Sequence, residues 1–427
     1  MPDILRFDAT HAAQRRIVGV LVSRDCRRLS AAMVCAAGRG MAVRPEVGAH
    51  VTAQAPPEIA DLFSRLAGDS GQSSAAGFAG GLAALRAHLA DAEASLVETL
   101  LAQAQVPPSR ILVAGIQDPA LWDCQRTAGT GYLGLCDAAR LAELTGMNII
   151  DAFAARDVAS GGLGGPLTAL AEWVLLRDPR TNRLLVDLGR TVRMTWLPRG
   201  QPGTAAPSLV SFDVGPGMGL LDLLSQKLTG GKHAFDPGGR LAVQGSRIAE
   251  LVEYWSLDPY FRRPLPRWRP RGVPPERFLV GALQKAVDSG WSVRDMLCTA
   301  THFVAESIDL AIRGRLPSDA KVDEVVLTGG GQQNGMLLRE IAARLPGVAL
   351  TKMADLRLPL DSLGPACTAL LALFHVDQVP ANSPEVTGTE IARVLGRLTP
   401  GSPQSWQRLL VEMAGSRPAV RPLRSAL

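Results

Sequence analysis

The segment Phe212-Asp213-Val214-Gly215-Pro216-Gly217 decides how this chain folds. Leu209 to Phe212 is apolar and reads as a strand, and the Gly and Pro that follow it fix a tight turn. Asp213 is thereby delivered to a strand end, where a carboxylate beside a cleft takes the proton of a hydroxyl or of water as a general base. The plainer reading is an Asp that caps its own turn. A comparable junction follows the apolar strand Val325 to Leu327, which feeds Thr328-Gly329-Gly330-Gly331-Gln332-Gln333-Asn334 and then a helix. Glycines there let backbone approach a ring or a phosphate, and the helix start offers free N–H donors. A simple strand-to-helix turn accounts for the same residues.

Outward from these junctions, strands alternate with helices. Ile17 to Val22 and Ala31 to Ala36 are apolar runs joined by the polar SRDCRRLS, a strand pair. Leu184 to Leu188 and Val192 to Leu197 form a second hairpin that turns at Gly189-Arg190. Arg110 to Ile116 is a strand of the buried type. Helical spacing runs over 78–105, where Pro107 and Pro108 stop it, and over 136–144, ended by Gly146. It recurs near 219–228, 241–256, 276–289, 291–314 and 363–375. Residues 38–78 predict a surface excursion, and the Pro-, Ser- and Arg-rich residues beyond 400 a loosely held tail. A hairpin opens each half, so the chain is expected to be a duplicated α/β protein with a central cleft. The expected divisions are an N-terminal lobe over 1–165, a C-terminal lobe over 166–400 and a tail over 401–427.

Composition narrows the function. A chain of 427 residues is too long for one core, and 47% apolar with 20% charged residues is a globular composition. The net charge of +5 is small and scattered, which argues against a nucleic-acid partner. The cluster Arg262, Arg263, Arg267, Arg269 and Arg271 reads as a solvated loop. The six cysteines show no C-x-x-C spacing and read as buried thiols, and the six histidines form no zinc pattern, so no metal site is predicted. No run reaches the ~18 apolar residues of a membrane span. The N-terminus lacks the apolar core of a secretory leader, so a cytoplasmic protein without a membrane partner is expected. Gly129-Thr-Gly131-Tyr-Leu-Gly134 matches G-x-G-x-x-G, but DCQRTA before it is no strand, so no dinucleotide site is expected there.

In order, these motifs resemble the anhydro-N-acetylmuramic acid kinases, members of the actin-like superfamily with its duplicated ribonuclease H-like domains. The resemblance extends from about Arg16 to about Thr389. The family's Asp-Thr-Gly-Pro-Gly-Asn stands here as Asp213 to Met218, followed by Asp222. Its Arg-Asp-x-Ala-x-Gly-Gly-Gln-Gly-Ala-Pro-Leu stands as Arg156 to Leu167, and its adenosine-side Gly-Gly-Gly-x-x-Asn as Gly329 to Asn334. Asp258-Pro259-Tyr260-Phe261 and Val386-Thr387-Gly388 match further family signatures. The resemblance implies ATP and magnesium as cofactors. It implies phosphorylation of the 6-hydroxyl of 1,6-anhydro-N-acetylmuramate while water opens the anhydro ring. It further implies Asp213 as the base, Arg156 and Asp157 as sugar-binding residues, and Gly215, Gly217, Gly329, Gly330, Gly331 and Asn334 on the nucleotide. A homodimer is the assembly the family often forms.

Departures fall on the groups that handle phosphate and sugar. The family's first hairpin, Gly-x-Met-Ser-Gly-Thr-Ser-x-Asp-Gly-x-Asp, stands as Gly19 to Ser30 with only the opening Gly kept. Its Cys-His-Gly-Gln-Thr is Ile116 to Ala120, with Trp122 kept beyond it. Its Asn-Ile-Gly-Gly-Ile-Ala-Asn is Asp187 to Arg193. Its Lys-Ser-Thr-Gly-x-Glu-x-Phe is Arg271 to Phe278, and its Met-Glu-Ala is Gly364 to Ala366. Phosphoryl transfer rests on positioning and charge stabilisation, so such losses strike at catalysis. Three functions stay open: a working sugar kinase, with arginines at 24, 27, 28, 190 and 193 holding phosphate; a binding or regulatory relative without efficient transfer; or another phosphotransfer or hydrolysis on a different small ligand.

Overall fold

A computed structural model describes residues 14–68, 73–119, 121, 131–269 and 272–415. The N-terminal stretch read for a leader, Trp122, Gly129 and Arg271 lie outside the described residues. The first half opens with β1 (Arg15–Val22), β2 (Arg28–Ala37) and β3 (Arg44–Gln54), then α1 (Pro57–Gly68) and α2 (Ala75–Ala104). It continues through β4 (Val113–Gln117), α3 (Ala138–Thr145), β5 (Ile149–Asp151), α4 (Phe153–Ala159) and α5 (Ala169–Leu176). The second half runs β6 (Arg183–Leu188), β7 (Thr191–Leu197), β8 (Val210–Pro216), α6 (Met218–Leu228), α7 (Ala249–Ser256), α8 (Glu276–Leu279), α9 (Ala282–Ser289) and α10 (Val293–Arg315). It ends with β9 (Glu324–Thr328), α11 (Gly335–Arg344) and β10 (Ala349–Lys352). A closing segment holds α12 (Leu363–Val376), α13 (Pro384–Thr387), β11 (Arg397–Thr399) and α14 (Pro403–Gly415).

The five strands of the second sheet repeat β1 to β5 of the first, to which β11 adds a sixth. The orders of the two sheets are β11-β5-β4-β1-β2-β3 and β10-β9-β6-β7-β8. In each, three antiparallel strands in sequence are followed by two parallel ones laid beside the first. This is the duplicated, two-lobed α/β fold anticipated from the paired hairpins. Local chemistry fixes the element ends: Ser74 and Asn334 cap α2 and α11, a Ser292–Asp295 capping box starts α10, and Gly146 at φ +68° ends α3.

Several expectations are corrected. Residues 38–78 are no excursion: they contain β3, whose alternation of side chains is blurred by an irregular register near Ala32 and Val34. Helix 276–289 is two short helices, because Gly281 at φ +76° breaks it. Only the second half of 241–256 is an α-helix. The division at 165/166 does not follow the sheets, since α12 covers β1 and β4 and β11 joins the edge of the first sheet. Glycine makes that cover close: a Cβ on Gly19 would strike the Pro365 and Ala369 backbone, and one on Gly115 would lie 2.6 Å from the Thr368 carbonyl oxygen. The tail is not loose over 403–415. Leu409 is fully buried, the Ser405 carbonyl accepts from Asn148 at 2.9 Å, and Arg408 donates to the carbonyls of Ser109 and Ile111. One core joins the sheets, placing Leu185, Leu197 and Val326 with Ile17, Ala32 and Val113 through α5 and α12.

Candidate active-site cleft

A cavity of about 580 Å³ lies between the lobes. The first lobe contributes Ser23, Arg24, Arg28, Asp118 and Tyr132, and the second contributes Asp187, Arg193, Trp268, Gly329 and Gly330. Thr168 and Glu172 of α5 and Pro365 at the start of α12 complete it.

The predicted motifs meet in pairs, but mostly behind this wall. Asp213 is fully buried within β8 and is not among the cavity-lining residues. Its Oδ2 accepts the Arg269 N–H at 3.3 Å, whereas Oδ1 has no hydrogen-bond partner. Burial pushes its carboxyl above the ordinary value, and the charges of Arg24 and Arg193 pull it back. Its carbonyl accepts from Tyr260 Oη at 3.0 Å and Arg267 Nε at 2.8 Å, so the Asp213 and Asp258–Phe261 motifs form one packed unit. A Cβ on Gly215 would lie 2.9 Å from the Phe261 ring. Gly217 donates to the Arg190 carbonyl at 2.9 Å, where β8 meets the turn of the second hairpin. Gly215 and Gly217 thus serve close packing and line no cavity.

Asp157 joins two other motifs. Its Oδ1 accepts from Asn382 Nδ2 and Thr387 Oγ1, both at 2.6 Å, and Oδ2 from the Gly164 N–H at 2.8 Å. These bonds fasten the 156–167 loop to the 382–387 segment, and Asp157 is not among the residues that line the cavity. Arg156 is exposed and borders a separate depression with Glu390 and Arg393, away from the cleft. Gly329, at φ +78°, and Gly330 do reach the cavity; a side chain on Gly329 would collide with Asp187 and Leu188. Gly331 packs against Leu188, and Asn334 caps α11 through the Leu337 N–H at 3.0 Å, with a buried Nδ2 that has no partner.

The wall itself is charged in ways the motifs did not reveal. Arg193 Nη2 meets Glu172 Oε1 at 2.8 Å and Asp187 Oδ2 at 4.0 Å, and Thr168 donates to the same Glu172 oxygen at 2.7 Å. Burial works against the Arg193 charge, but Glu172, Asp187 and Asp213 outweigh it and hold it protonated. Burial likewise raises the Asp187 carboxyl, against Arg193 and Arg24. Asp118 accepts from the Leu135 N–H, from the Cys136 N–H at 2.5 Å and from Tyr132 Oη at 3.2 Å. Burial raises its carboxyl to about 6, while those backbone donors oppose the rise. The segment read as a solvated arginine loop is partly interior. Arg267 is 6% exposed and bonds the Asp213, Tyr260 and Val214 carbonyls, and the Trp268 ring covers Gly165, where a Cβ would lie 2.6 Å from it. One available signal was Glu172, a lone acid in the apolar run ALAEWVLL.

The first hairpin turn is closed on itself. Ser23 Oγ accepts the N–H groups of Arg27 at 3.1 Å and Arg28 at 2.9 Å and donates to Asp25 Oδ1 at 2.6 Å. The Cys26 N–H goes to the Ser23 carbonyl at 2.9 Å. Amides that would cradle a phosphate are thus occupied, with a carboxylate beside them. The implied magnesium ion does not fit this donor set. Among the described residues no three His, Cys, Asp or Glu side chains converge as ligands. Glu172 and Asp187 are matched by Arg193, and Asp118 is taken up by the Leu135 and Cys136 N–H groups and Tyr132 Oη, so these cleft carboxylates are already occupied against an oxygen-seeking dication. Of the residues expected at a nucleotide, Gly329 and Gly330 line the cavity, whereas Gly215, Gly217, Gly331 and Asn334 are not among its lining residues.

Among the described residues no helix is long and apolar enough to cross a membrane. The profile of the family described as anhydro-N-acetylmuramic acid kinase matches residues 55–401, beginning after the rewritten hairpin and so later than the motifs suggested. The anhydro-N-acetylmuramic acid kinase of Crocosphaera subtropica is 33% identical over 258 residues, covering 60% of this chain and 67% of that protein. The one of Nitrosospira multiformis is 30% identical over 318 residues, 74% of this chain and 83% of that protein. Among solved structures, a ROK family glucokinase from Streptomyces griseus, in complex with glucose and AMPPNP, aligns with a TM-score of 0.37 at 12% identity, over 83% of this chain and 98% of that one. The chain belongs to the anhydro-N-acetylmuramic acid kinase family.

Proposed function

We propose that this chain is a divergent anhydro-N-acetylmuramic acid kinase-like protein that binds a small sugar ligand in its cleft without efficient phosphoryl transfer, as a binding or regulatory protein. The observation that carries this reading is the self-closed first hairpin, whose amides are held by Ser23 and Asp25. Asp213, set back from the wall, supports it: a base must reach its proton by one hydrogen bond or one water. Each missing transition-state donor costs about 10²–10³ in rate, so the loss of several leaves little turnover. The sugar and a nucleotide stay as small-molecule partners, with the cytoplasm as location and a homodimer as assembly.

A working, ATP- and magnesium-dependent kinase that opens the anhydro ring of 1,6-anhydro-N-acetylmuramate in cell-wall recycling is the second reading. Gly329 and Gly330 at the wall favour it. ADP release from ATP, magnesium and this sugar, run beside the Nitrosospira relative, separates the two. The first reading expects a rate lower by about 10³ or more. A rate within about tenfold of the relative's contradicts it.

A further inference from the structure

Arg24 belongs to the first lobe and reaches the second. It follows Ser23 in the hairpin turn, yet its Nη1 lies where a Cβ on Gly272 would sit 2.6 Å away, beside Thr191 of β7. Gly272 has φ +71°, and its neighbour Val273 donates to Thr191 Oγ1 at 2.9 Å, so the crossing point is a built backbone contact. Among the described residues Arg24 makes no ion pair and no hydrogen bond, although Asp213 and Asp187 both feel its charge. Its five N–H donors are therefore unspent at the cavity wall.

Other charged groups on the wall are committed. Arg28 pairs with Asp361 at 3.3 Å, Arg193 with Glu172 at 2.8 Å, and Asp118 is taken up by Leu135, Cys136 and Tyr132. Asp187 and Asp213 of the second lobe both feel the Arg24 charge, and a cation there offsets theirs as a bound dication would. A guanidinium does more than neutralise: its planar fork matches two oxygens of a phosphate. Around it stand the Trp268 ring, an apolar face for a pyranose, and the Thr168 hydroxyl.

We infer that Arg24 takes the place of a divalent cation, so that the cleft holds the phosphate of a phosphorylated sugar directly on Arg24 and needs no metal. This deepens the proposed function and rests on its claim that the cleft binds a sugar ligand. It reverses the magnesium requirement that membership of the kinase family implies.

The test is thermal unfolding of the full chain with N-acetylmuramate, N-acetylmuramate 6-phosphate or inorganic phosphate, each in EDTA and in magnesium. A ligand that binds only the folded state raises the melting temperature by mass action. The inference expects the 6-phosphate to stabilise equally in EDTA and in magnesium, at least tenfold more tightly than the unphosphorylated sugar. Arg24→Gln should weaken the EDTA value tenfold or more, and magnesium should not restore it, because Asp187 stays matched by Arg193 and Asp213 stays behind the wall. Arg313→Gln, on the exposed end of α10, removes the same charge and should change nothing. Binding of the 6-phosphate only with magnesium, or equal binding of both sugars, overturns the inference while the proposed function stands. A chain that binds neither sugar overturns both, and so does a response to inorganic phosphate alone that Arg24→Gln leaves intact.

Discussion

At the scale of single residues, the same side-chain type does different work according to what already occupies it. Arg24 has donors to spare, whereas Arg267 is spent on four backbone carbonyls and Arg193 on Glu172. Asp157 accepts three hydrogen bonds in the interior. Asp157→Ala strands the Asn382 amide, the Thr387 hydroxyl and the Gly164 N–H in the interior, and should cost about 2–4 kcal/mol in denaturant unfolding. Arg156→Ala, on the exposed side of the same helix, should stay within about 0.5 kcal/mol. An equal effect of the two would contradict the fastening role of Asp157. Asp118 supplies a pH signature. Its carboxyl titrates near 6 in the folded chain against an ordinary value of 3.8, so the folded state binds the proton more tightly. Its contribution to stability is therefore greatest below the ordinary value and is lost as pH rises through about 6. Asp118→Asn should flatten the fall in melting temperature across that window; an unchanged slope would contradict the assignment. Residue identity made Asp213, Gly329 and Gly330 legible in the sequence. It hid the commitment of Asp157 and the reach of Arg24, because both depend on segments more than two hundred residues away.

Elements explain why the motif glycines survive. Gly19 alone persists from the family's first hairpin, and its place is against the α12 backbone rather than against a ligand. Gly19→Ala forces β1 and α12 apart, and should cost about 1–3 kcal/mol or more while leaving the turn at Ser23–Arg28 unchanged. A variant as stable as the parent would show that α12 does not seat on this sheet. Both hairpins, β4, α2, α10 and the β9-to-α11 junction were legible because apolar spacing or a cap marks them. By contrast, β5, β10 and β11 are three or four residues long, too short to show a period, and α5 is apolar on nearly every side. α14 was hidden by the Pro and Ser residues before it, although its Leu409 reaches the shared core.

On the scale of the whole molecule, two copies of one topology face each other and the cleft draws arginines from both leading hairpins, Arg24 and Arg28 from the first and Arg193 from the second. Arg24 follows β1 and Arg193 lies on β7, so the positive charge at the wall comes from the segments where the family's phosphate hairpins are replaced. The composition and motif order gave away the two-lobed fold, but the lobe boundary was obscured because the chain returns to its first sheet after residue 362. The reading proposed for the whole molecule is a kinase fold without efficient phosphoryl transfer. Incubation of the protein with ATP, magnesium and 1,6-anhydro-N-acetylmuramate beside the Nitrosospira relative, read by phosphorus NMR, tests it most directly. A sugar phosphomonoester should form about 10³-fold or more slowly than with the relative. A phosphomonoester signal that grows within about tenfold of the relative's rate and vanishes in Asp213→Asn would contradict it.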